Sequence, residues 1–222
     1  MIIAIDGPSG CGKTSTAKLL SKKLGINYCD SGILYRSITF YLISQKINLD
    51  DLAAVKKEVL SIEIEYDILR NRVFINRKNV TEFTRLPKVT VSVSKVSSMK
   101  IVRDKLINIQ RDLINSGDIV IDGRDIGTTV FPNADYKFYL DATLKIRAKR
   151  RFNQLKNKKV EIDYKTVLQM IKDRDDFDRS RVNSPLCKAA DALLLDTTNL
   201  TLESQVNKII AIIVNTNKNE VR

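Results

Sequence analysis

Residues 7–14 read Gly7-Pro8-Ser9-Gly10-Cys11-Gly12-Lys13-Thr14, an instance of GxxxxGK(S/T). Each residue type in it serves the binding of an anion. Glycines let the backbone turn tightly enough for successive N–H groups to wrap a phosphate. A helix starting at Lys13 would aim its positive end at the same group. Lys13 would reach the β- and γ-phosphates, and the Thr14 hydroxyl would hold Mg2+. The segment predicts a P-loop and a nucleoside triphosphate ligand, but it does not say what receives the phosphate. Asp122 ends the apolar run IVID (119–122) and is the second candidate for the metal, as a Walker-B aspartate would be. No NKxD element for guanine follows the loop, which argues against a GTPase switch.

Phosphoryl transfer also needs fixed positive charge at the acceptor and the transition state. Arginine suits both, being always charged and forked to match two oxygens. Asp30-Ser31-Gly32 follows a second predicted strand, with Tyr35-Arg36 one turn on. Arg103 lies beside the helical stripe residue Val102, and Gly123-Arg124-Asp125 directly follows IVID. Arg147, Arg150 and Arg151 share a basic helix before a polar stretch and are candidates for a lid over ATP. Arg174, Asp178 and Arg181 stand four and three residues apart, on one helical face. Taken alone, that trio reads as a surface ion-pair ladder; it gains a function only with a ligand to hold.

The chain has no histidine. That excludes Ser-His-Asp and Cys-His nucleophiles and zinc sites built on imidazole. A nucleoside monophosphate acceptor tolerates the absence. Its second phosphate pKa is about 6, so the attacking oxygen is largely ionised at pH 7 and needs no base. A sugar hydroxyl would want a base such as aspartate, which the chain also has, so both acceptors stay open at this level.

Positioning these groups requires strands that deliver loops to one edge. IIAID (2–6), 26–29, IVID (119–122), YKFYL (136–140) and ALLLD (192–196) alternate with helical patterns, which predicts an α/β fold with a parallel sheet covered on both faces. Ala17, Leu20 and Leu24 mark the helix after the P-loop, closed by Gly25. Met99, Val102, Leu106, Ile109 and Leu113 mark a long helix, and Thr201–Val214 a final one before a polar tail expected to fray. IEIEY and RVFIN, separated by DILRN, alternate apolar and polar residues and predict a hairpin inserted at 62–81.

The 222 residues suit one domain. The excess of 38 basic over 26 acidic residues, +12, points to a polyanionic partner. The lysines are spread rather than clustered, so phosphorylated small molecules are favoured over nucleic acid. Three isolated cysteines, an N-terminus unlike a signal peptide and no long apolar run predict a cytoplasmic protein without membrane attachment.

Taken together, IDGPSGCGKT, DSGILYR, IDGRDIGTTVFP, RDDFDRSRVNSPL and AADALLLDT resemble the bacterial cytidylate kinases along nearly the whole chain. The resemblance implies a P-loop, adenylate-kinase-like fold with a five-stranded parallel sheet. It implies a monomer that transfers phosphate from ATP to CMP or dCMP with Mg2+. A monophosphate-binding region would span about 31–110, with a β insert near 62–81, and a lid about 147–164. By the family pattern, Arg36, Arg124 and Arg181 would clasp the acceptor phosphate, while Ser94, Arg103 and Asp125 would read the cytosine edge. Arg174 and Asp178 would meet the ribose, with Ser31 lining the same pocket. Arg147 and Arg151 would attend ATP with residues 7–14. Cys11 stands where the family usually has a small residue such as Ala, which suggests an oxidation-sensitive loop, and Phe177 where a polar residue is common. The alternatives are a P-loop kinase for another acceptor and a non-catalytic P-loop protein that binds RNA through its charge.

Overall fold

Five short apolar runs form one parallel sheet. In the computed structural model, which describes residues 1–220, these are β1 (Ile2–Asp6), β2 (Asn27–Asp30), β6 (Ile119–Asp122), β7 (Tyr136–Asp141) and β8 (Leu193–Asp196), in the spatial order β2-β6-β1-β7-β8. All five end on an aspartate, at the edge where open α/β sheets bind ligands. The central strands are buried on both faces, as their unbroken hydrophobicity requires. Ile3, Ile5 and Phe138 face α1 (Lys13–Leu24) and α8 (Leu202–Glu220), meeting Leu20 and Ile209. Ala4, Ile119 and Ile121 point the other way, onto Ile126 and Phe131. This fold is the one expected.

The segment between β2 and β6 builds a second body of packing. It holds α2 (Ser31–Ser44), α3 (Leu52–Ser61), the antiparallel sheet β3 (Ile64–Asp67), β4 (Arg72–Ile75) and β5 (Lys78–Asn79), then α4 (Pro87–Ser98) and α5 (Lys100–Asp112). Leu34, Ile38, Val55, Val73, Val93 and Leu106 share its core. The hairpin lies where alternation placed it. The stripe beginning at Met99 splits: α5 ends at Asp112, Leu113–Ser116 tightens into a 3-10 turn, and Gly117 at φ 105° ends it.

The sequence pattern made no assignment for 87–98, which is the helix α4. Pro87 sits at its start, where its missing N–H is no loss. Val89, Val93 and Val96 are buried at helical spacing, while Val91 is 77% exposed.

After β7 come α6 (Leu144–Asn157) and α7 (Tyr164–Ser180), which pack together through Ala148, Phe152, Val167 and Ile171. Asp163 caps α7 by accepting from Thr166 N–H at 2.9 Å. The final helix runs past Val214 to Glu220, and the last two residues of the tail expected to fray lie outside the described residues. No helix among the described residues is long and apolar enough to cross a membrane.

Candidate active site

β1 delivers Gly7 to the edge of the sheet in a conformation only glycine holds easily, φ 145°. A Cβ there would lie 2.0 Å from the Leu140 carbonyl oxygen. Gly10, at φ 77°, passes less tightly over α6: its Cβ would meet the Arg147 carbonyl oxygen at 3.0 Å. The loop between them frames Lys13, which is buried and donates to Pro8 O at 2.7 Å. Burial lowers the Lys13 pKa, as does the Arg124 cation. An ammonium so placed has much to gain from a phosphate.

The loop is held from below. Arg147 donates to Ser9 O (2.9 Å) and Ala142 O (2.9 Å) and is ion-paired with Asp175 of α7. Asp175 in turn accepts from Ser9 N–H at 2.8 Å. Arg147 is thus placed beneath the P-loop. Arg150 is tied to Thr197, and Arg151 donates to Gln154 on its own helix. Cys11 is wholly buried, with its Sγ 3.6 Å from Lys13 Nζ; burial removes the access that oxidation needs, against the sequence expectation.

Thr14 and Asp122 meet at the end of β6. Thr14 Oγ1 donates to Asp122 Oδ2 at 2.8 Å, and Tyr28 OH donates to Oδ1 at 2.7 Å. Burial, and then the neighbouring Asp30, push Asp122 up to about 6. No group of three or more His, Cys, Asp or Glu side chains among the described residues forms a metal cage. A hydroxyl beside one carboxylate fits Mg2+ nonetheless, because that ion keeps several waters and takes phosphate oxygens as ligands.

Beside this edge, α2, α4, α5, the loop after β6 and the end of α7 converge. Arg103 of α5 is ion-paired with Asp125, and it donates to Ser97 O (3.1 Å) and Ser184 Oγ (3.0 Å). Arg181 lies 3.5 Å from Asp125 and 3.9 Å from Asp178, and donates to Ser184 O at 2.6 Å. Arg124 Nε donates to Asp178 Oδ2 at 2.9 Å. Ser31 Oγ donates to the Asp122 carbonyl at 2.7 Å. Ser94, partly buried on α4, stands one turn before Ser97. The sequence-predicted acceptor residues are therefore gathered from five separate elements.

Two of these arginines are underemployed. Among the described residues, Arg174 Nε is buried with no hydrogen-bond partner. Burial, and then Arg124, lower its pKa to about 10. Arg36 donates to Thr90 Oγ1 (3.0 Å) and Thr84 O (3.3 Å). Burial, then Arg174 and Arg85, lower it to about 9. The cations of Arg36, Arg85, Arg124 and Arg174 thus crowd one another, Arg174 and Arg85 depressing the pKa of Arg36, and Arg124 that of Arg174.

Sequence reasoning missed Tyr28, Asp175 and Arg85, the last ion-paired with Asp30 at 3.0 Å. Asp175 carried a signal, lying between two selected residues of one helix. Tyr28 and Arg85 carried none, since only the fold brings them in.

Comparison with known proteins bears on the family and the fold. The family model described as cytidylate kinase matches residues 3–215. A cytidylate kinase of Fusobacterium nucleatum is 47% identical over 209 residues, 94% of this chain and 95% of its own. One of Caldanaerobacter subterraneus is 42% identical over 219 residues, 99% of this chain and 97% of its own. A solved structure, an uncharacterized protein from Eubacterium ventriosum, matches with a TM-score of 0.53 at 16% identity, covering 96% of this chain and 98% of its own, which speaks to the fold alone. With a P-loop facing a converging arginine pocket and a family match over nearly its full length, this chain belongs to the cytidylate kinase family.

Proposed function

We propose that this protein transfers the γ-phosphoryl group of ATP to CMP or dCMP, giving ADP and CDP or dCDP. The observation that carries this reading is the Arg103–Asp125–Arg181 hub beside Arg124 and Arg174. It pairs a buried carboxylate with donors and leaves cationic capacity for a phosphate. Cytosine offers a donor at its exocyclic amine and an acceptor at N3, and uracil reverses both. Asp125 would accept from the amine, and Arg103 and Ser94 would serve the acceptor edge. A site built on such bonds rejects the wrong base because its own polar groups are left unpaired.

Arg36, Arg124 and Arg181 would hold the acceptor phosphate, Arg174 and Asp178 the ribose, and Ser31 would line the same pocket. Residues 7–14 would hold the ATP phosphates, with Lys13 at the β- and γ-positions and Arg147 and Arg151 beside them. The acceptor phosphate attacks in line with no general base, since it is already ionised. Thr14 and Asp122 would hold Mg2+, which when bound neutralises charge on the ATP phosphates. We place the monophosphate-binding region at about 31–110, with the β insert near 62–81, and the lid at about 147–164, closing to exclude water. We propose a cytoplasmic monomer with small nucleotides as its partners, and neither nucleic acid nor membrane.

The test is ADP release from ATP and Mg2+ with CMP, dCMP, UMP, AMP, GMP, dTMP or no acceptor. Fast turnover with CMP and dCMP alone is expected. Turnover with another acceptor would keep the kinase and discard the base assignment. Silence with ATP still bound would leave a non-catalytic P-loop protein.

A further inference from the structure

We propose that Asp6 is a positioning residue for acceptor recognition, holding Arg124 and Asp125 in place through the backbone on either side of them. The inference rests on the assignment of Asp125 to the base. β1 ties the loop after β6 at two points. Upstream, Gly123 N–H donates to Ile5 O at 3.0 Å. Downstream, the Asp6 carboxylate accepts from Ile126 N–H at 2.9 Å and Gly127 N–H at 2.7 Å, one on each oxygen. The two residues between the ties are Arg124 and Asp125.

The downstream tie is not replaceable from within the loop. Ile126–Val130 is a single wide helical turn, closed by Val130 N–H to Asp125 O (3.2 Å) and Phe131 N–H to Ile126 O (2.7 Å). The N–H groups that open such a turn have no partner inside it. Asp6, only 5% exposed, supplies both acceptors from a strand 120 residues away. Space around the contact is filled: a Cβ on Gly127 would lie 3.2 Å from Lys137 Cδ and 3.5 Å from Asp6 Oδ2. Asp6 also precedes Gly7 directly, so the strand that opens the ATP loop carries the acceptor for the recognition loop, while the Asp6 carboxylate itself is spent on Ile126 and Gly127. Its carboxyl is pushed up to about 6 by burial, drawn down by the two N–H bonds, raised again by Asp125 and lowered by Lys13.

The experiment is Asp6→Asn. An amide has one acceptor oxygen, and its NH2 group confronts a backbone N–H that also donates. We expect the KM for CMP to rise about tenfold to a hundredfold, the scale of one hydrogen bond to a charged group. The preference for CMP over UMP should fall with it, while the KM for ATP stays within about twofold. An unchanged CMP-to-UMP ratio would overturn the inference. So would equal losses for ATP and CMP together with a lowered Tm, which would mark a purely structural residue. Asp125→Asn, assayed in parallel, separates the two levels. If it leaves the ratio untouched, the base assignment itself fails; if it shifts the ratio and Asp6→Asn does not, only the present inference fails. Should Asp6→Asn not fold, the wild type still decides. Amide protection at Ile126 and Gly127 should fall below about pH 6 in step with affinity for cytidine, which has no phosphate to titrate. Protection and affinity that do not change together would overturn it.

Discussion

Among the described residues, Arg124 is committed to Asp178 through Nε alone, and its remaining donors make only a long contact, 3.4 Å, to its own neighbour Gly123 O. A guanidinium held at one corner presents the rest of its fork in a fixed direction, which is what orienting a phosphate needs. Arg124→Ala should lower kcat/KM for CMP by about 2 kcal/mol, roughly thirtyfold, in steady-state assays. Arg124→Lys should recover only part of this, because an ammonium cannot hold Asp178 and present a fork together. Arg174 makes the opposite case. Its buried, unpartnered Nε and its lowered pKa mean that it stands there at a cost to the ligand-free protein. Arg174→Met should raise the Tm of that protein, by roughly 0.5–2 kcal/mol of stability, while raising the KM for CMP. A lowered Tm would show that its attraction to Asp175 and Asp178 outweighs its desolvation.

At the scale of elements, α7 ties the two substrate sites together. Asp175 braces the P-loop at Ser9, and Asp178, one turn later, braces Arg124. The helix is fastened to α6 by a small core of its own, with Ile171 4% exposed among Ala148, Val167, Phe152 and Leu155. Ile171→Ala should cost about 2–5 kcal/mol of local stability. Because the sheet cores do not share these contacts, the change should first show as faster proteolysis between α6 and α7 and a raised KM for ATP, before Tm falls in proportion. The strands, the insert hairpin and most helices could be read from periodicity because each has one dominant period. α4 could not: Val89-Thr90-Val91-Ser92-Val93-Ser94 fits an alternating pattern as well as a helical one. Tertiary packing decides it, leaving Val91 in solvent where alternation would have put it beside Val89 and Val93.

Over the whole molecule, what spacing by itself could tell was what is local, and the distant groupings came through the family resemblance. The P-loop is eight consecutive residues, and its meaning is complete within them. Arg147 was visible as a cation on a basic helix, but its place beneath the loop depends on Asp175, 28 residues away. Asp6 and Tyr28 reach their partners across 120 and 94 residues, spans that no spacing rule covers. These distant contacts also leave a pH signature on the folded state. Burial raises both Asp6 and Asp122 from 3.8 to about 6. In that window the native chain binds protons that the unfolded chain has released. Their contribution to stability is therefore full below about pH 4 and is lost as pH rises through 6. The depressed carboxyls Asp67, Asp163, Asp191 and Asp196 pull the other way at lower pH, but they are exposed and screened. Between pH 4.5 and 6.5 the ligand-free wild type should therefore lose stability with rising pH relative to an Asp6→Asn, Asp122→Asn double variant, followed by urea unfolding at each pH. Parallel curves for the two proteins would show that the buried carboxylates are already neutralised by partners, and that the ligand-free site carries no charge strain for nucleotides to relieve.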